Sequence, residues 1–197
     1  QLKLTGKLSV QGNSDFRQLR DLCYQLKQVD LSGADCEVIP NNAFHSRHVL
    51  QSITLPDNLK SIGSQAFYAC TSLTQLTLPK SLTRVGDAAF SSCTALKEIT
   101  INGAPSLGEF AFARLSHLRT LRVNADIPPV ATASTFDGIN RKQVKLIVPK
   151  GSEMRYRKAA GWSLFFSEPK NTTNRVCQPT EVLVPLPAEM QVKQGNN

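Results

Sequence analysis

The chain is expected to fold as an α/β solenoid of about five similar coils. A parallel sheet of short strands lies on one face, short helical turns lie on the other, and helical caps close both ends. Two observations predict this. Between Leu50 and Ala95 one phrase occurs twice, LQSITLPDNLKSIGSQAFYACTS and LTQLTLPKSLTRVGDAAFSSCTA, with a period of 23 residues and no slip. Within each copy the apolar and special residues keep fixed offsets: Leu50/Leu73, Ile53/Leu76, Leu55/Leu78, Pro56/Pro79, Leu59/Leu82, Ile62/Val85, Gly63/Gly86, Phe67/Phe90 and Cys70/Cys93. Fainter copies flank the pair. One opens at Leu26 and carries Val29, Leu31, Cys36, Ile39 and Phe44; another opens at Leu96 and carries Ile99, Ile101, Leu107, Gly108, Phe112 and Leu115. Leu118, Leu121 and Val123 open a fifth.

The strand comes first in each unit. Ile53 and Leu55 alternate with Ser52 and Thr54, so one pair faces inward and the other outward. Three or four residues cannot stand alone as a strand, but stacked copies bring Val29, Ile53, Leu76, Ile99 and Leu121 into one column at a spacing of about 4.8 Å. Pro56 and Pro79 then remove a donor and end the pairing. Gly63, Gly86 and Gly108 stand where the chain turns again, a place expected to need positive φ. Ser64 and Asp87 sit where an N-cap belongs, ahead of a single helical turn that points Phe44, Phe67, Phe90 and Phe112 into the core as a column.

The ends depart from the repeat. Leu2-Lys3-Leu4 alternates as a short strand that Leu8 and Val10 extend or follow, and Asp15 with Gln18 opens a helix bearing Phe16, Leu19, Leu22 and Cys23 on one side. That pair is placed to lid the open end of the array. Beyond Val123 the run Asn124-Ala125-Asp126-Ile127-Pro128-Pro129 is a loop, after which Phe136 re-enters the core as a fifth aromatic. Val144, Leu146 and Val148 form a closing strand, Ser152 caps a helix through about Ala160, Gly161 stops it, and Trp162, Phe165 and Phe166 fill the second lid. The domain organisation expected is a cap over residues 1–25, repeats and closing strand over 26–148, a cap helix over 149–166, and a proline-rich linker over 167–197.

Composition limits the alternatives. A hydrophobic content of 41% suffices for a continuous core, and the chain has no run of about 18 apolar residues to span a bilayer. The start at Gln1, with neither Met nor an apolar leader, is expected of a trimmed product. The net charge of +8 is uneven, with 13 basic and 7 acidic side chains in residues 101–197. There Arg141, Lys142, Lys145, Lys150, Arg155, Arg157 and Lys158 cluster in sequence as a basic patch, without the interleaved aromatics of a nucleic-acid platform. No nucleic-acid partner is expected. Of the five cysteines, Cys23, Cys70 and Cys93 occupy a slot that Leu115 fills elsewhere, which suits buried free thiols, with a Cys70–Cys93 bridge as the alternative.

The motif L-x-x-I-x-L-P-x-x-L-x-x-I-G-x-x-A-F-x-x-C, as it stands from Leu50 and from Leu73, resembles the leucine-rich repeat of BspA-like bacterial surface proteins, including treponemal ones. The resemblance covers roughly residues 26–148 and extends to the ends: Gly6, the D-F-x-x-L-R at Asp15, the V-D-L-S-G-A at Val29, and the stretch from Val148 to Phe165. It implies a secreted or surface-anchored module that binds an extracellular protein or glycan without catalysis, and the chain is expected to be a monomer. Pro40 and Arg47 depart from the motif in the first unit, and Asn102-Gly103 and Leu115 in the fourth. The run from Glu181 to Lys193 resembles the first strand of the domain that precedes the barrel in family 20 β-hexosaminidases. That likeness implies the alternative of a spacer or targeting module at the front of a secreted glycosidase.

No catalytic constellation stands out. His45, His48 and His117 flank turns without a second ligand at metal spacing, and Asp30 and Glu98 are rungs apart, too far to share one bond as acid and base. No cofactor or metal is expected. The remaining candidate is a surface: the outward strand positions Gln28, Asp30, Ser52, Thr54, Gln75, Thr77, Glu98, Thr100, Thr120 and Arg122.

Overall fold

The structure, a computed structural model, describes residues 2–8, 14–22 and 24–166. Val10, Cys23 and the segment 167–197 with its expected strand lie outside the described residues. The chain winds through about six coils, one more than the repeat count predicts. The extra coil is the irregular last one, whose strand arrives late because the Pro128-Pro129 loop lengthens the path to it.

Three ladders run along the coils, all parallel. β1 (Leu2–Lys7), β2 (Gln28–Asp35) and β4 (Ser52–Thr54) form one. β6 (Gln75–Leu78), β8 (Glu98–Ile101), β10 (Thr120–Val123) and β11 (Lys145–Ile147) form the second. The third joins two-residue strands at the next corner of each coil: β3 (Val38–Ile39), β5 (Ser61–Ile62), β7 (Arg84–Val85) and β9 (Ser106–Leu107). Registers match counterpart to counterpart, Val29 to Ile53 and Leu76 to Ile99 to Leu121 to Leu146. The expected column is therefore present, but among the described residues no ladder joins β4 to β6.

Inside the coils an aromatic column runs the length of the core. Phe44, Phe67, Phe90, Phe112 and Phe136 stack nearly parallel, with ring centroids 5.0, 5.0, 5.6 and 5.9 Å apart. Each end is closed by a ring set on edge. Phe16 of α1 (Ser14–Leu22) meets Phe44 at 89°, while Trp162 and Phe165 meet Phe136 at 62° and 83°. The lids expected from sequence thus continue the column instead of merely covering it.

The face opposite the sheet differs from the expected helical turns. Gln65, Ala69, Ala88 and Ser92 have φ between 51° and 62°, so a left-handed residue stands at each end of a five-residue turn and breaks any helical run. Every second N–H of the turn points along the solenoid: Gln65, Phe67 and Ala69 donate to Asp87, Ala89 and Ser91 of the next coil, at 2.9, 2.8 and 2.9 Å. A helix would close those bonds within itself; here they join coils. Of the expected caps, Asp87 acts across coils, its Oδ1 accepting from Glu109 N at 3.0 Å, while Ser64 is itself the donor, its N–H bonded to Asn41 Oδ1 of the previous coil at 2.8 Å.

The repeat glycines are needed for a reason other than φ. Gly63, Gly86 and Gly108 are not left-handed, and a Cβ on Gly86 would lie 2.5 Å from Ser64 N and 2.6 Å from Gly63 C. Backbones of adjacent coils pass so closely that only a hydrogen fits between them. The cysteine slot works through its donor as well as its size. Cys70 and Cys93 are buried thiols, not a bridge, whose Sγ–H groups donate to Phe44 O and Phe67 O at 3.1 and 3.0 Å. Burial pushes the Cys93 thiol well up from its ordinary pKa, with Cys70 beside it adding to the rise.

At the far end α2 is shorter than expected, Glu153–Lys158, and the Ser152 hydroxyl donates to Pro149 O at 2.7 Å instead of capping it. The helix is closed not by Gly161, whose φ is 74°, but two residues earlier by Ala159, which turns extended with φ and ψ of −79° and 136°. Tyr156 of α2 is buried, and its hydroxyl donates to Ala125 O at 2.7 Å. Burial, with Asp126 nearby, raises its pKa to about 12. The folded chain therefore holds this proton more tightly than the unfolded chain, whose tyrosines titrate at about 10. Its contribution to stability is complete below about pH 10 and is lost as pH rises toward 12. Urea denaturation should show Tyr156→Phe less stable by about 1 kcal/mol at pH 7, with part of the decline between pH 10 and 12 removed. An unchanged alkaline slope would remove Tyr156 from that account.

Candidate functional site: the sheet face

Two outward columns cover the sheet. The first runs Gln28, Ser52, Gln75, Glu98, Thr120 and then Lys145; the second runs Asp30, Thr54, Thr77, Thr100 and Arg122. All ten sequence candidates stand on this face, because the alternation inside each strand forces them out when Ile53, Leu76, Ile99 and Leu121 are buried. Sequence reasoning missed a third column. The residue after each opening leucine, Gln51, Thr74, Lys97 and Arg119, is also exposed and lies in line, with Thr74 N, Lys97 N and Arg119 N donating to the counterpart carbonyl at 3.3, 2.9 and 2.9 Å. Strict alternation would bury it. The corner after the buried leucine turns two successive residues outward, and the only signal in the sequence is that this position is polar in every copy.

The face has three electrostatic zones. At the N-terminal end Asp30 accepts from Ser32 N at 2.9 Å and lies 3.8 Å from Lys3 Nζ, and hydrogen bonding from Ser32, with Lys3 adding to it, holds its carboxyl below the ordinary range. Across β4 and β6 the face is uncharged. There, where the ladder is interrupted, a cleft of about 370 Å³ opens between Ser52, Thr54, Gln75 and Thr77, with Asp57 and Asn102 at its rim. Over β8, β10 and β11 cations prevail: Lys97, Arg119, Arg122 and Lys145 against Glu98.

The basic patch read from sequence is distributed over several elements. Lys145 belongs to the sheet face, beside Thr120. Arg141 donates to Phe136 O at 3.0 Å, Arg155 to Asp126 O at 3.3 Å, and the Arg157 guanidinium lies 4.6 Å above the Phe166 ring. Lys142 and Lys158 are exposed.

The histidines are placed by local contacts. His45 stacks on Tyr68 at 5.1 Å, His48 Nδ1 lies 3.3 Å from Thr71 Oγ1, and His117 donates from Nδ1 to Thr94 O at 2.7 Å. Among the described residues no three of His, Cys, Asp and Glu gather as metal ligands, and no helix is long and apolar enough to cross a membrane. Asp30 and Glu98 lie three rungs apart, about 14 Å, on β2 and β8.

A family model described as the BspA-type leucine-rich repeat region matches residues 18–140 in six copies. No curated protein matches. Among solved structures, the leucine-rich repeat protein of T. pallidum is 33% identical, over 56% of this chain and 49% of its own length, with a TM-score of 0.48. A leucine-rich repeat protein from Bacteroides ovatus is 21% identical over 66% of this chain and 34% of its own, with a TM-score of 0.47. The pneumococcal vaccine antigen PcpA is 23% identical over 69% of this chain and 34% of its own, with a TM-score of 0.53, a likeness of fold. The chain thus spans from a third to a half of these proteins.

Proposed function

The chain belongs to the BspA-type leucine-rich repeat family, and from that premise we propose that it is a monomeric, extracellular or cell-surface interaction module that binds a protein or glycan through its sheet face. The repeat region is a non-catalytic scaffold. What supports the choice of face is the cleft at the β4–β6 interruption, where exposed hydroxyls and amides from neighbouring coils surround a concavity instead of a flat sheet. Registration by the ladders on either side fixes those groups before any ligand arrives, which lowers the ordering cost of binding. The opposite face is occupied by turns whose N–H groups are already committed, alternately to the next coil and within the turn.

An array of glycans and matrix proteins probed with the whole chain should retain at least one ligand. Thr54→Tyr with Thr77→Tyr fills the cleft without touching the core or changing the charge of the face, because both side chains are exposed. That variant should lose at least about tenfold in affinity, the scale of removing one central contact at an interface. Retention undiminished by the double change, with loss on altering the turn face, would place the site elsewhere.

A further inference from the structure

We infer that the last three rungs of the sheet face form a docking strip for a linear, sulfated or carboxylated polysaccharide. This rests on the reading of the sheet face as the binding surface and adds the class of ligand. Lys97, Arg119, Arg122 and Lys145 are exposed on successive rungs, and Lys145 N and Arg119 N tie those rungs together through bonds of 2.7 and 2.9 Å. Cations therefore recur at about every 4.8 Å along the array, a spacing that meets a polymer with regularly repeated anions and not a single compact ion. None of the four forms an ion pair with a described residue, and Arg119 has only a bond of 3.1 Å from Nη1 to Leu118 O. The only acid among them is Glu98, while Asp30 lies rungs away with its carboxylate engaged by Ser32 and Lys3.

The neighbours of the strip favour a sugar polymer over other polyanions. Thr100 and Thr120 carry hydroxyls along the same rungs, Thr77 adds one on the rung before them, and Asn124 donates to Asn102 at 2.8 Å just beyond the strands. These are groups that pair with the hydroxyls of a saccharide. The large exposed apolar side chains, Tyr24, Val38, Phe110, Ile127, Val130 and Met154, are all absent from the face. An acidic protein would find a single partly exposed aliphatic side chain, Ile147 beside Arg122, and no aromatic one, and single-stranded nucleic acid would find no ring on which to stack a base. Individual contacts of this exposed kind are weak and screened by salt, so affinity here comes from several rungs acting together.

The test titrates the full chain with heparin, hyaluronan, uncharged dextran, poly-glutamate and poly-dT at low ionic strength and at about 0.15 M salt. Heparin should bind best, weaken steeply with salt, and lose at least about tenfold in Arg122→Glu with Lys145→Glu. Arg122→Lys should retain most of the binding, whereas Arg155→Glu with Lys158→Glu, which makes the same change of charge on α2, should leave it within about twofold. Equal losses from the α2 pair would reduce the effect to net charge and overturn the strip. Tighter binding of poly-glutamate or poly-dT would overturn the polysaccharide assignment, as would no binding to heparin. If heparin fails while an array ligand is still lost in Thr54→Tyr with Thr77→Tyr, the strip falls and the sheet-face function stands. If neither pair of substitutions on the face affects any ligand, both fall.

Discussion

Phe67→Ala is expected to lower the stability of the folded chain by about 3–5 kcal/mol. Phe67 is fully buried at the middle of the aromatic column, with Phe44 on one side and Phe90 on the other, each ring 5.0 Å away. Truncation removes two stacking contacts together and leaves a void between backbones that are already at closest approach, so the coils cannot collapse to fill it. In an array where each coil touches only its neighbours, a central defect weakens two interfaces, whereas a terminal one weakens one. The thermal midpoint should fall on the order of 10 °C for a chain of this size. Phe110→Ala provides the comparison, because Phe110 is 44% exposed and its loss should stay within about 0.5 kcal/mol. Equal midpoints for the two variants would contradict the column.

Gly86→Ala is expected to cost about 3 kcal/mol or more, at or above the usual upper limit for overpacking by a single methyl group. The added Cβ meets Ser64 N at 2.5 Å, Gly63 C at 2.6 Å and Ser64 Cα at 2.9 Å, all backbone atoms that no rotamer change can move. Relief requires the two coils to separate, which strains the bond of 2.8 Å from Gly86 N to Ile62 O. Gly151→Ala makes the contrast: its φ is 86°, yet nothing lies within 4 Å of the new Cβ. That change should cost only the left-handed penalty of about 1–2 kcal/mol. Urea denaturation of both variants gives the comparison, and an ordering with Gly151→Ala the more damaging would return the repeat glycines to a conformational role.

What was legible in the chain, and what was not, follows from where physical information lies in a repeat. Columns such as Leu76, Ile99 and Leu121 could be read directly, because a period-2 pattern repeated at 23 residues fixes both the inward face and the neighbour. The turn face could not. Whether Gln65-Ala66-Phe67 closes a helical turn or bonds onward to the next coil depends on the nearness of Asp87, Ala89 and Ser91, a tertiary fact that local propensity does not contain. The glycines misled for the same reason, since one residue type serves both positive φ and close approach. On the sheet face, alternation exposed Thr54 and Thr77 but hid Lys97 and Arg119, which the corner after the opening leucine turns outward. Nor could the interruption between β4 and β6 be foreseen, because the two strands it separates belong to the two most similar copies in the chain.

Hydrogen exchange along the backbone, measured with and without a ligand retained by the array, tests the functional reading most directly. Added protection should fall on residues 51–55 and 74–78 beside the cleft, extending to 97–101 and 119–123 for a polyanionic glycan, while the turns at 64–70 and 87–93 keep their rates. Protection concentrated in those turns, with the strands unchanged, would contradict it.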